Sequence, residues 1–397
     1  MKKEKISFIS SLAVVFVFVM FLFCGMAATL LRENESYSFF ENRNLATMPE
    51  FTVDGALDGS YFSAVDTYLK EHSAGRTTLL KANTYIDLNI LKRPVVNDVV
   101  ITDGVLLPWN EYERTDTAAI DYAASIIATQ LKSHTDLTES YGGKFYYVAV
   151  PCQYVCYEDA YPWYLNNREE YTDASTDALF TKLNDLGISY IDMLDYYESA
   201  GKPESFTSTV DNHFSIFGAY DTYIEIIKRI NSDTDYALDV LEKDEFTVET
   251  LPNPYLGSRP RKLFGMWSSN EKLSTITPTN APAYERWNYS SQGAPIVYAL
   301  PQDPWKSVLY TMYMGGDIAN TVIDTNRDEL PSILIYGDSF TNAVECVAWY
   351  SFDTMYTLDF RHYSKMSLEE FINEHKPDIV VCIRDYEALL LPTGNGQ

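Results

Sequence analysis

Residues 332–383, SILIYGDSFTNAVECVAWYSFDTMYTLDFRHYSKMSLEEFINEHKPDIVVCI, contain three short apolar runs separated by two segments of helical periodicity. Continuous apolar runs of this length are typical of strands that are buried on both faces. The pattern predicts strands at 332–336, 354–358 and 378–383, and helices at 341–350 and 367–375. The second helix begins with SLEE, a capping box. This β-α-β-α-β order predicts an α/β fold with a mostly parallel sheet.

The chain before residue 332 continues the alternation of helix and strand. Helices are predicted at 117–134 and 172–186, and strands at 144–151 (KFYYVAVP) and 189–193 (SYIDM). The proline-punctuated stretch 251–303 is expected to be an irregular insertion. Ligands of such sheets bind at the carboxyl ends of the strands. The residues at the end of strand 332–336 are Gly337, Asp338 and Ser339.

The chain begins with lysines at positions 2, 3 and 5, followed by an uncharged, largely apolar stretch from Ile6 to Leu31. A helix of about 20 apolar residues crosses the roughly 30 Å hydrocarbon core of a bilayer, and the lysines favour a cytoplasmic N-terminus. We predict a single-pass signal anchor at 1–31, with the remainder extracytoplasmic. Cleavage near the small residues at 25, 27 and 28 is the alternative, and it would make the protein secreted.

The exported part is expected to contain a stalk and a main domain. The stalk, residues 32–108, begins as an extended segment, continues as an amphipathic helix around 61–91 and ends in a short β segment, VVNDVVITDGVLLP. We expect it to pack on the main domain, residues 109–397.

Composition excludes some classes of function. The 397 residues include 30 basic and 56 acidic side chains, a net charge of −26, and no concentrated basic face that would bind nucleic acid. The five cysteines are too scattered for a disulfide framework, and none forms a zinc-like cluster with a histidine. Neither a metal nor another cofactor is expected. Cys152 and Cys156 form either a small disulfide or two free thiols.

The tetrapeptide Gly337-Asp338-Ser339-Phe340 lies between a predicted strand and a predicted helix. A serine at this position is close to backbone N–H groups and to the positive end of the helix dipole, which favour a developing oxyanion. The position therefore suits the nucleophile of an acyl transfer. The alternative is that Asp338 and Ser339 only cap the helix.

A serine nucleophile needs a base, and the chain has five histidines. His213 follows Asp211 by two positions, so on an extended segment the carboxylate can orient the imidazole. A turn-forming aspartate with a helix-capping histidine is the alternative. His362 follows the strand at 354–358 and is a reserve candidate. His134 and His375 close predicted helices, where surface histidines are ordinary.

Several segments resemble the DHHW proteins, exported bacterial proteins related to the SGNH hydrolase-like domains of the alginate O-acetylation machinery. The likeness rests on five segments in the family's order: ENRNLATMPEF, KEHSAGR with Arg76, KFYYVAVP, TVDNHFSIFGAY and LDFRHYSKMSLEEFINEHKPDIVV. Together they extend over nearly all of the chain after the apolar stretch. Asn212 and Phe214 depart from the pattern, which often has histidine and tryptophan there.

The resemblance implies a three-layer α/β/α SGNH hydrolase-like fold in which the Asp-x-His motif precedes the Gly-Asp-Ser motif. It also implies Ser339 as the nucleophile, His213 as the general base and acid, and Asp211 as the orienting carboxylate. Gly337 and Asp338 would belong to the oxyanion turn, together with the Ser339 N–H.

A basic and aromatic stretch, GSRPRKLFGMW, lies in the predicted insertion. Arg259, Arg261 and Trp267 are predicted to line a groove that stacks on sugar rings and meets acidic groups. A surface loop that balances an acidic protein is the alternative. Arg361, in DFRHY, matches a family position and is predicted either to line the site or to support it.

The function expected from these inferences is that of an extracytoplasmic, serine-dependent O-acetyltransferase. It would act on a cell-surface or secreted polysaccharide by ping-pong acyl transfer. A carbohydrate esterase with the same triad is one alternative, and an inactive glycan-binding or envelope scaffold protein is another. The resemblance implies a membrane-bound acyl-transfer partner as the acetyl source. The other expected partners are the polysaccharide and, through the N-terminal helix, the membrane.

Overall fold

The structure, a computed structural model, describes residues 2–31, 35–201, 204–288, 291–293 and 297–396. The chain forms two compact units. The first consists of Met1–Asn97 and Arg261–Trp267, and the second of Asp98–Pro260 and Ser268–Gln397. The second unit thus begins before the predicted boundary at residue 108.

The N-terminal helix α1 (Lys2–Leu31) contains an apolar span, Ser10–Leu31, of 22 residues with a mean hydropathy of 2.7. At 1.5 Å per residue this span is about 33 Å long, enough to cross a bilayer core. Within the described ranges it is the one helix with the length and composition for this. It fits the predicted signal anchor, while retention and cleavage stay alternatives.

Short elements make up the rest of the first unit: β1 (Tyr37–Ser38), β2 (Arg43–Asn44), α2 (Val53–Asp58), α3 (Ser60–Glu71), α4 (Arg76–Tyr85) and β3 (Val95–Val96). A π-helical turn, Ile86–Ile90, continues α4. The prediction of one helix around 61–91 is therefore wrong. The chain leaves the helix between α3 and α4, where Gly75 has a φ of 78°, a left-handed value that glycine adopts readily.

Two ion pairs join the segments ENRNLATMPEF and KEHSAGR inside the first unit. Arg76 Nη1 lies 2.5 Å from Glu41 Oε2, and Arg43 Nη1 lies 2.6 Å from Glu71 Oε1. The hydrogen bond from Arg76 is the main reason that the pKa of Glu41 falls to about 2, so this carboxylate is charged at neutral pH. These two segments of the DHHW likeness are thus partners in one small ion-pair network.

The elements that follow in the chain are β4 (Val99–Ile101), β5 (Leu106–Pro108), α5 (Thr117–Ser140), β6 (Lys144–Val150), α6 (Gln153–Cys156), α7 (Glu169–Asp185), β7 (Tyr190–Asp192), α8 (Met193–Ser199), α9 (Ile216–Asp233), β8 (Phe246–Thr250), α10 (Ser258–Lys262), β9 (Ser274–Pro278), β10 (Glu285–Asn288), β11 (Ser291–Gly293), β12 (Asn320–Asp324), β13 (Ile333–Gly337), α11 (Thr341–Ala348), β14 (Thr354–Leu358), α12 (Leu368–His375) and β15 (Ile379–Asp385).

An eight-stranded sheet with the order β11-β10-β12-β14-β13-β15-β6-β7 forms the centre of the second unit. The five strands from β14 to β7 are parallel, and β12, β10 and β11 extend the sheet by antiparallel pairing. The mixed α/β fold with a large, mostly parallel sheet is thereby confirmed. The continuous apolar runs arise because β13 and β15 are almost completely buried.

Helices cover both faces of this sheet. The connection through α11 leads from β13 to β14 on one side, and the connection through α12 leads back across β13 to β15 on its other side. Right-handed crossovers in opposite directions place α11 and α12 on opposite faces. Helix α9 packs against α11, while α5 packs against both α7 and α12.

The stretch 251–303 is not wholly irregular, so that expectation is wrong in part. Strand β9 pairs with β8, and β10 joins the main sheet beside β12. The β-branched and alternating residues of STITP and ERWN supply strand propensity that the neighbouring prolines obscure in the sequence.

Candidate active site

The turn after β13 presents Ser339 at the carboxyl edge of the sheet. Strand β13 lies between β14 and β15, so this turn is at the point where the strand connections diverge, the usual ligand position in open α/β sheets. Gly337 is required there, because a Cβ at this position would lie 2.0 Å from the Ile383 carbonyl oxygen of β15. The Asp338 carboxylate accepts a hydrogen bond from the Phe340 N–H at 2.9 Å, which shapes the turn.

The hydroxyl of Ser339 lies in a chain of hydrogen bonds with the two other predicted triad residues. His213 Nε2 is 2.7 Å from Ser339 Oγ, and His213 Nδ1 is 2.6 Å from Asp211 Oδ1. When Nδ1 carries the proton, Asp211 accepts it as a hydrogen bond and Nε2 is free to accept from the serine. The predicted residues therefore meet in space, and helix capping alone does not describe Ser339.

The second oxygen of the Asp211 carboxylate accepts a hydrogen bond from the Ser258 backbone N–H at 2.6 Å. Burial alone would raise the pKa of Asp211, but attraction to His213, the hydrogen bonds from His213 and Ser258, and the charge of Arg259 lower it to about 2. Asp211 is thus ionised at neutral pH although it is only 3% exposed. A fixed negative charge stabilises an imidazolium on His213.

Glu271 and Gln153, which are distant in the chain, hold the segment that carries Asp211 and His213. Glu271 Oε2 accepts hydrogen bonds from the backbone N–H and the hydroxyl of Thr209, at 2.8 and 2.6 Å. Gln153 Nε2 donates to the Ser208 carbonyl at 3.1 Å, and Gln153 Oε1 accepts from Arg259 Nε at 3.3 Å. His213 is therefore on a loop that is braced by contacts with distant segments.

The predicted sugar-binding residues Arg259, Arg261 and Trp267 are divided between the two units. Arg259 is 7% exposed and contacts Gln153, so it supports the loop that carries Asp211 and His213. Arg261 donates to the Phe39 carbonyl at 2.6 Å within the first unit. Both arginines thus contact other parts of the protein, and the groove that they would line with Trp267 stays a prediction.

Arg361 belongs to a polar cluster beside the first turn of α11, the helix that follows Ser339. Its Nη2 lies 2.6 Å from Asp359 Oδ2 and 3.3 Å from Asp317 Oδ1. Asp317 also accepts from the side-chain amide of Asn342, in the first turn of α11, at 3.0 Å. These ion pairs agree with the supporting role among its two predicted roles, and both roles stay predictions.

His362 lies in the same cluster, whereas the histidine that contacts Ser339 is His213. Its ring shares with Asp317 and Asp359 the one three-residue group in the described ranges whose spacing suits a metal ion. The guanidinium of Arg361 already pairs with both carboxylates, so a cation of the protein itself occupies this place.

Sequence reasoning missed two side chains that complete the site. The ring of Tyr310 stacks on the imidazole of His213, with centroids 3.7 Å apart and planes 4° from parallel. Arg384, only 2% exposed, lies 3.1 Å from Asp338 Oδ2 through its Nη1. For Arg384, the one sequence signal of such a role is the charged pair at the end of the apolar strand IVVCIRD. Nothing in the sequence distinguishes Tyr310 from the others among the 31 tyrosines.

Two further expectations are corrected or resolved by burial. His134 is not at the surface: it is 2% exposed, its Nδ1 lies 3.2 Å from the Tyr336 hydroxyl, and burial lowers its pKa to about 4. Cys152 is buried and Cys156 is partly buried, and no disulfide joins them, which resolves the two alternatives for this pair.

Comparisons with known proteins identify the fold. No model of a known protein family matches the chain, and no curated protein does. Among solved structures, PatB1 from Bacillus cereus is similar, with a TM-score of 0.61 and 17% identity over 73% of this chain and 96% of that one. A DHHW family protein from Eubacterium siraeum has a TM-score of 0.56 and 18% identity over 74% and 93% of the two chains.

A more distant likeness is to the O-acetyltransferase domain of AlgJ from Pseudomonas putida, with a TM-score of 0.47 and 14% identity over 74% of this chain and 93% of that one. The structural neighbours therefore include a DHHW family protein, and the resemblance found in the sequence is confirmed at the level of the fold.

Proposed function

We propose that this chain is an extracytoplasmic, serine-dependent O-acetyltransferase that modifies a cell-surface or secreted polysaccharide. The observation that carries the proposal is the continuous hydrogen-bonded chain Ser339–His213–Asp211 at the carboxyl edge of the sheet. The proposal includes an SGNH hydrolase-like three-layer arrangement, which agrees with helices on both faces of the sheet. The apolar span of α1 supports attachment to the membrane.

The first half-reaction loads the enzyme. Ser339 Oγ attacks the carbonyl carbon of an acetyl ester or thioester donor while its proton passes to His213 Nε2. The tetrahedral intermediate collapses, the bond to the donor's leaving group breaks, and that group takes the proton from Nε2. Asp211, charged and hydrogen-bonded to Nδ1, stabilises the transient imidazolium.

The second half-reaction transfers the acetyl group. A sugar hydroxyl gives its proton to His213 Nε2 and attacks the acetyl carbon, and collapse returns the proton to Ser339 Oγ. A membrane-bound acyl-transfer partner is the proposed donor in the cell. Water in place of the sugar gives an esterase with the same residues, and the distinction depends on what reaches the acetyl-enzyme.

Intact mass of the full chain in detergent tests the proposal. A small activated ester, p-nitrophenyl acetate, replaces the natural donor and needs no partner protein. We expect one acetyl adduct that is absent in Ser339→Ala and His213→Ala, while Ser140→Ala, a surface serine at the end of α5, behaves like the unaltered chain.

Adding oligosaccharides to the acetyl-enzyme then shows whether acetate passes to sugar or to water. Transfer to sugar supports the transferase, and release to water alone supports the esterase. An equal adduct in Ser339→Ala, or neither an adduct nor turnover of the ester in any version, contradicts the proposed nucleophile and moves the assignment to a glycan-binding scaffold.

A further inference from the structure

A cleft of about 640 Å³ in the second unit has no role in the triad. It lies between the segment 109–116, which precedes α5, the start of α7, and the C-terminal residues Leu390 and Leu391. Its volume is within the range of about 300–1,000 Å³ that is usual for small-molecule sites. We call it the α5–α7 cleft.

The α5–α7 cleft lies at the same edge of the sheet as Ser339. Helices α5 and α7 each lead through a short turn into the strands β6 and β7, so their N-termini lie at the carboxyl ends of these strands. A chain of contacts links the cleft to the nucleophile turn. Arg168 Nη1 is 3.4 Å from Glu387 Oε1, the Glu387 N–H donates to Asp385 Oδ1 at 2.8 Å, and the Asp385 N–H donates to Asp338 Oδ2 at 3.3 Å.

The walls of the cleft combine aromatic rings with an unpaired amide. Trp109 and Tyr112 are 38% and 72% exposed, and Tyr171 adds a third ring. Asn110 Nδ2 is enclosed and has no hydrogen-bond acceptor among the described residues. Aromatic rings that stack on an apolar ring face, together with a few polar groups that fix orientation, are typical of sites for sugars.

Arg168 is the N-cap residue of α7 and contacts two other side chains. It has a φ of 63°, a left-handed value that is unusual for a residue with a side chain. Its guanidinium lies 4.9 Å from the centre of the Tyr171 ring, in addition to its ion pair with Glu387. Non-glycine residues in such conformations occur preferentially at functional sites. The carboxylate of Glu387 therefore already compensates the positive charge of Arg168.

The charges around the cleft select against acidic ligands. Four carboxylates and two guanidinium groups line it: Glu111, Glu113, Asp116, Glu170, Arg114 and Arg168. The balance of these six groups is −2, and the carboxylate of Glu387, which pairs with Arg168, makes it −3, in a chain whose net charge is −26. A saccharide with carboxylates is repelled by such a field, whereas an uncharged sugar enters freely and a protonated amine is attracted.

We propose that the α5–α7 cleft binds an oligosaccharide without carboxylates, and prefers one that bears amino groups, as the acceptor strand for acetyl transfer. The role as acceptor site depends on the proposed function, whereas binding itself does not. The inference narrows the substrate class from polysaccharides in general to neutral or amine-bearing glycans and excludes polyuronates.

Calorimetric titration of the full chain in a polyoxyethylene detergent, which has no sugar head group, tests the binding. The probes are three tetrasaccharides at pH 6: glucosamine, N-acetylglucosamine and galacturonate. We expect the glucosamine tetramer to bind more tightly than the N-acetylglucosamine tetramer, a preference that shrinks with added salt. The galacturonate tetramer should bind at least about 10-fold more weakly than the neutral one.

Variants assign the binding to the cleft. Trp109→Ala should weaken binding of the neutral tetramer about 10-fold through loss of the stacked ring. Trp305→Ala, the matched control, removes a tryptophan that is 87% exposed outside the cleft and should change nothing. The double variant Glu113→Gln, Glu170→Gln should remove the preference for the amine-bearing tetramer, while a control pair, Glu249→Gln with Glu374→Gln, should keep it.

Three results would overturn the inference: no binding by any probe, equal or tighter binding of galacturonate, or equal weakening by Trp109→Ala and Trp305→Ala. The acetyl adduct on Ser339 is measured separately. An adduct without saccharide binding refutes the cleft alone, and saccharide binding at the cleft with neither an adduct nor ester turnover refutes the proposed catalysis alone.

Discussion

Replacing Asp211 by asparagine changes one atom of the hydrogen-bonded chain and keeps its shape. In the structure, Asp211 Oδ1 faces His213 Nδ1 at 2.6 Å and Oδ2 faces the Ser258 N–H at 2.6 Å. Asparagine has a single oxygen, which the fixed backbone N–H of Ser258 retains. The amide NH2 then points at Nδ1, which must accept, so the imidazole proton moves to Nε2. That atom can no longer take the proton of Ser339.

The size of the effect follows from the distance between the charges. Two unit charges 2.6 Å apart attract by about 6 kcal/mol at an effective dielectric constant of about 20. Losing this stabilisation of the imidazolium corresponds to a fall in rate of about 10⁴-fold. When the triad aspartate of a serine protease is replaced by asparagine, the wrong imidazole tautomer lowers kcat by a similar factor, about 10⁴-fold.

The assay is the single-turnover release of p-nitrophenol from p-nitrophenyl acetate by the full chain in detergent at pH 7. Asp136→Asn, an exposed aspartate on α5, is the matched control and should react like the unaltered chain. Circular dichroism checks that both variants remain folded. A folded Asp211→Asn protein that reacts within tenfold of the unaltered chain would refute the role given to this carboxylate.

Three further outcomes are expected. Tyr310→Phe should acylate within about threefold of the unaltered chain and Tyr310→Ala about 10²-fold more slowly, because only the alanine loses the ring stacked on His213; equal rates for both would contradict a positioning role. Gly337→Ala should lower the free energy of unfolding in urea by about 3 kcal/mol, since its Cβ would meet the Ile383 carbonyl oxygen, and an unchanged value would contradict this close approach. Burial lowers the pKa of His134 to about 4, so the unfolded chain binds more protons than the folded one between pH 4 and about 6.5. Stability should therefore fall by about 2 kcal/mol from pH 8 to pH 5, and His134→Phe should lose this part of the pH dependence; an unchanged pH profile would contradict it.

The central strands and the nucleophile turn could be predicted from sequence because their signals are local. An apolar run that ends in Gly-Asp-Ser indicates both a buried strand and the point where that strand ends. The sequence SLEE indicates the start of a helix. The capping box at Ser367 and Glu370 is present as predicted. The spacing of Asp211 and His213 is likewise a local signal. The sequence does not indicate how close these two residues lie to Ser339.

The parts that sequence did not predict depend on contacts between distant segments. Tyr310 and Arg384 gain their roles only when the sheet brings them beside His213 and Asp338. The misassigned His134 looked like a surface residue at a helix end, but α5 continues to Ser140, so the histidine lies inside the helix and faces Tyr336. In each case a segment that is distant in the chain, and not the local sequence pattern, determines whether the side chain is buried.

The two flanks of the sheet have different roles in the proposed reaction. Beyond β14, the antiparallel strands β12, β10 and β11 extend the sheet, whereas beyond β15 the strands β6 and β7 lead to the α5–α7 cleft. Ser339 lies between them. Acylation needs only the triad, and transfer to sugar also needs the cleft. Substitutions in the segment 109–116 should therefore slow sugar acetylation while the first half-reaction keeps its rate, and substitutions of triad residues should slow both. The separation of these two effects distinguishes an acceptor site from a merely structural surface.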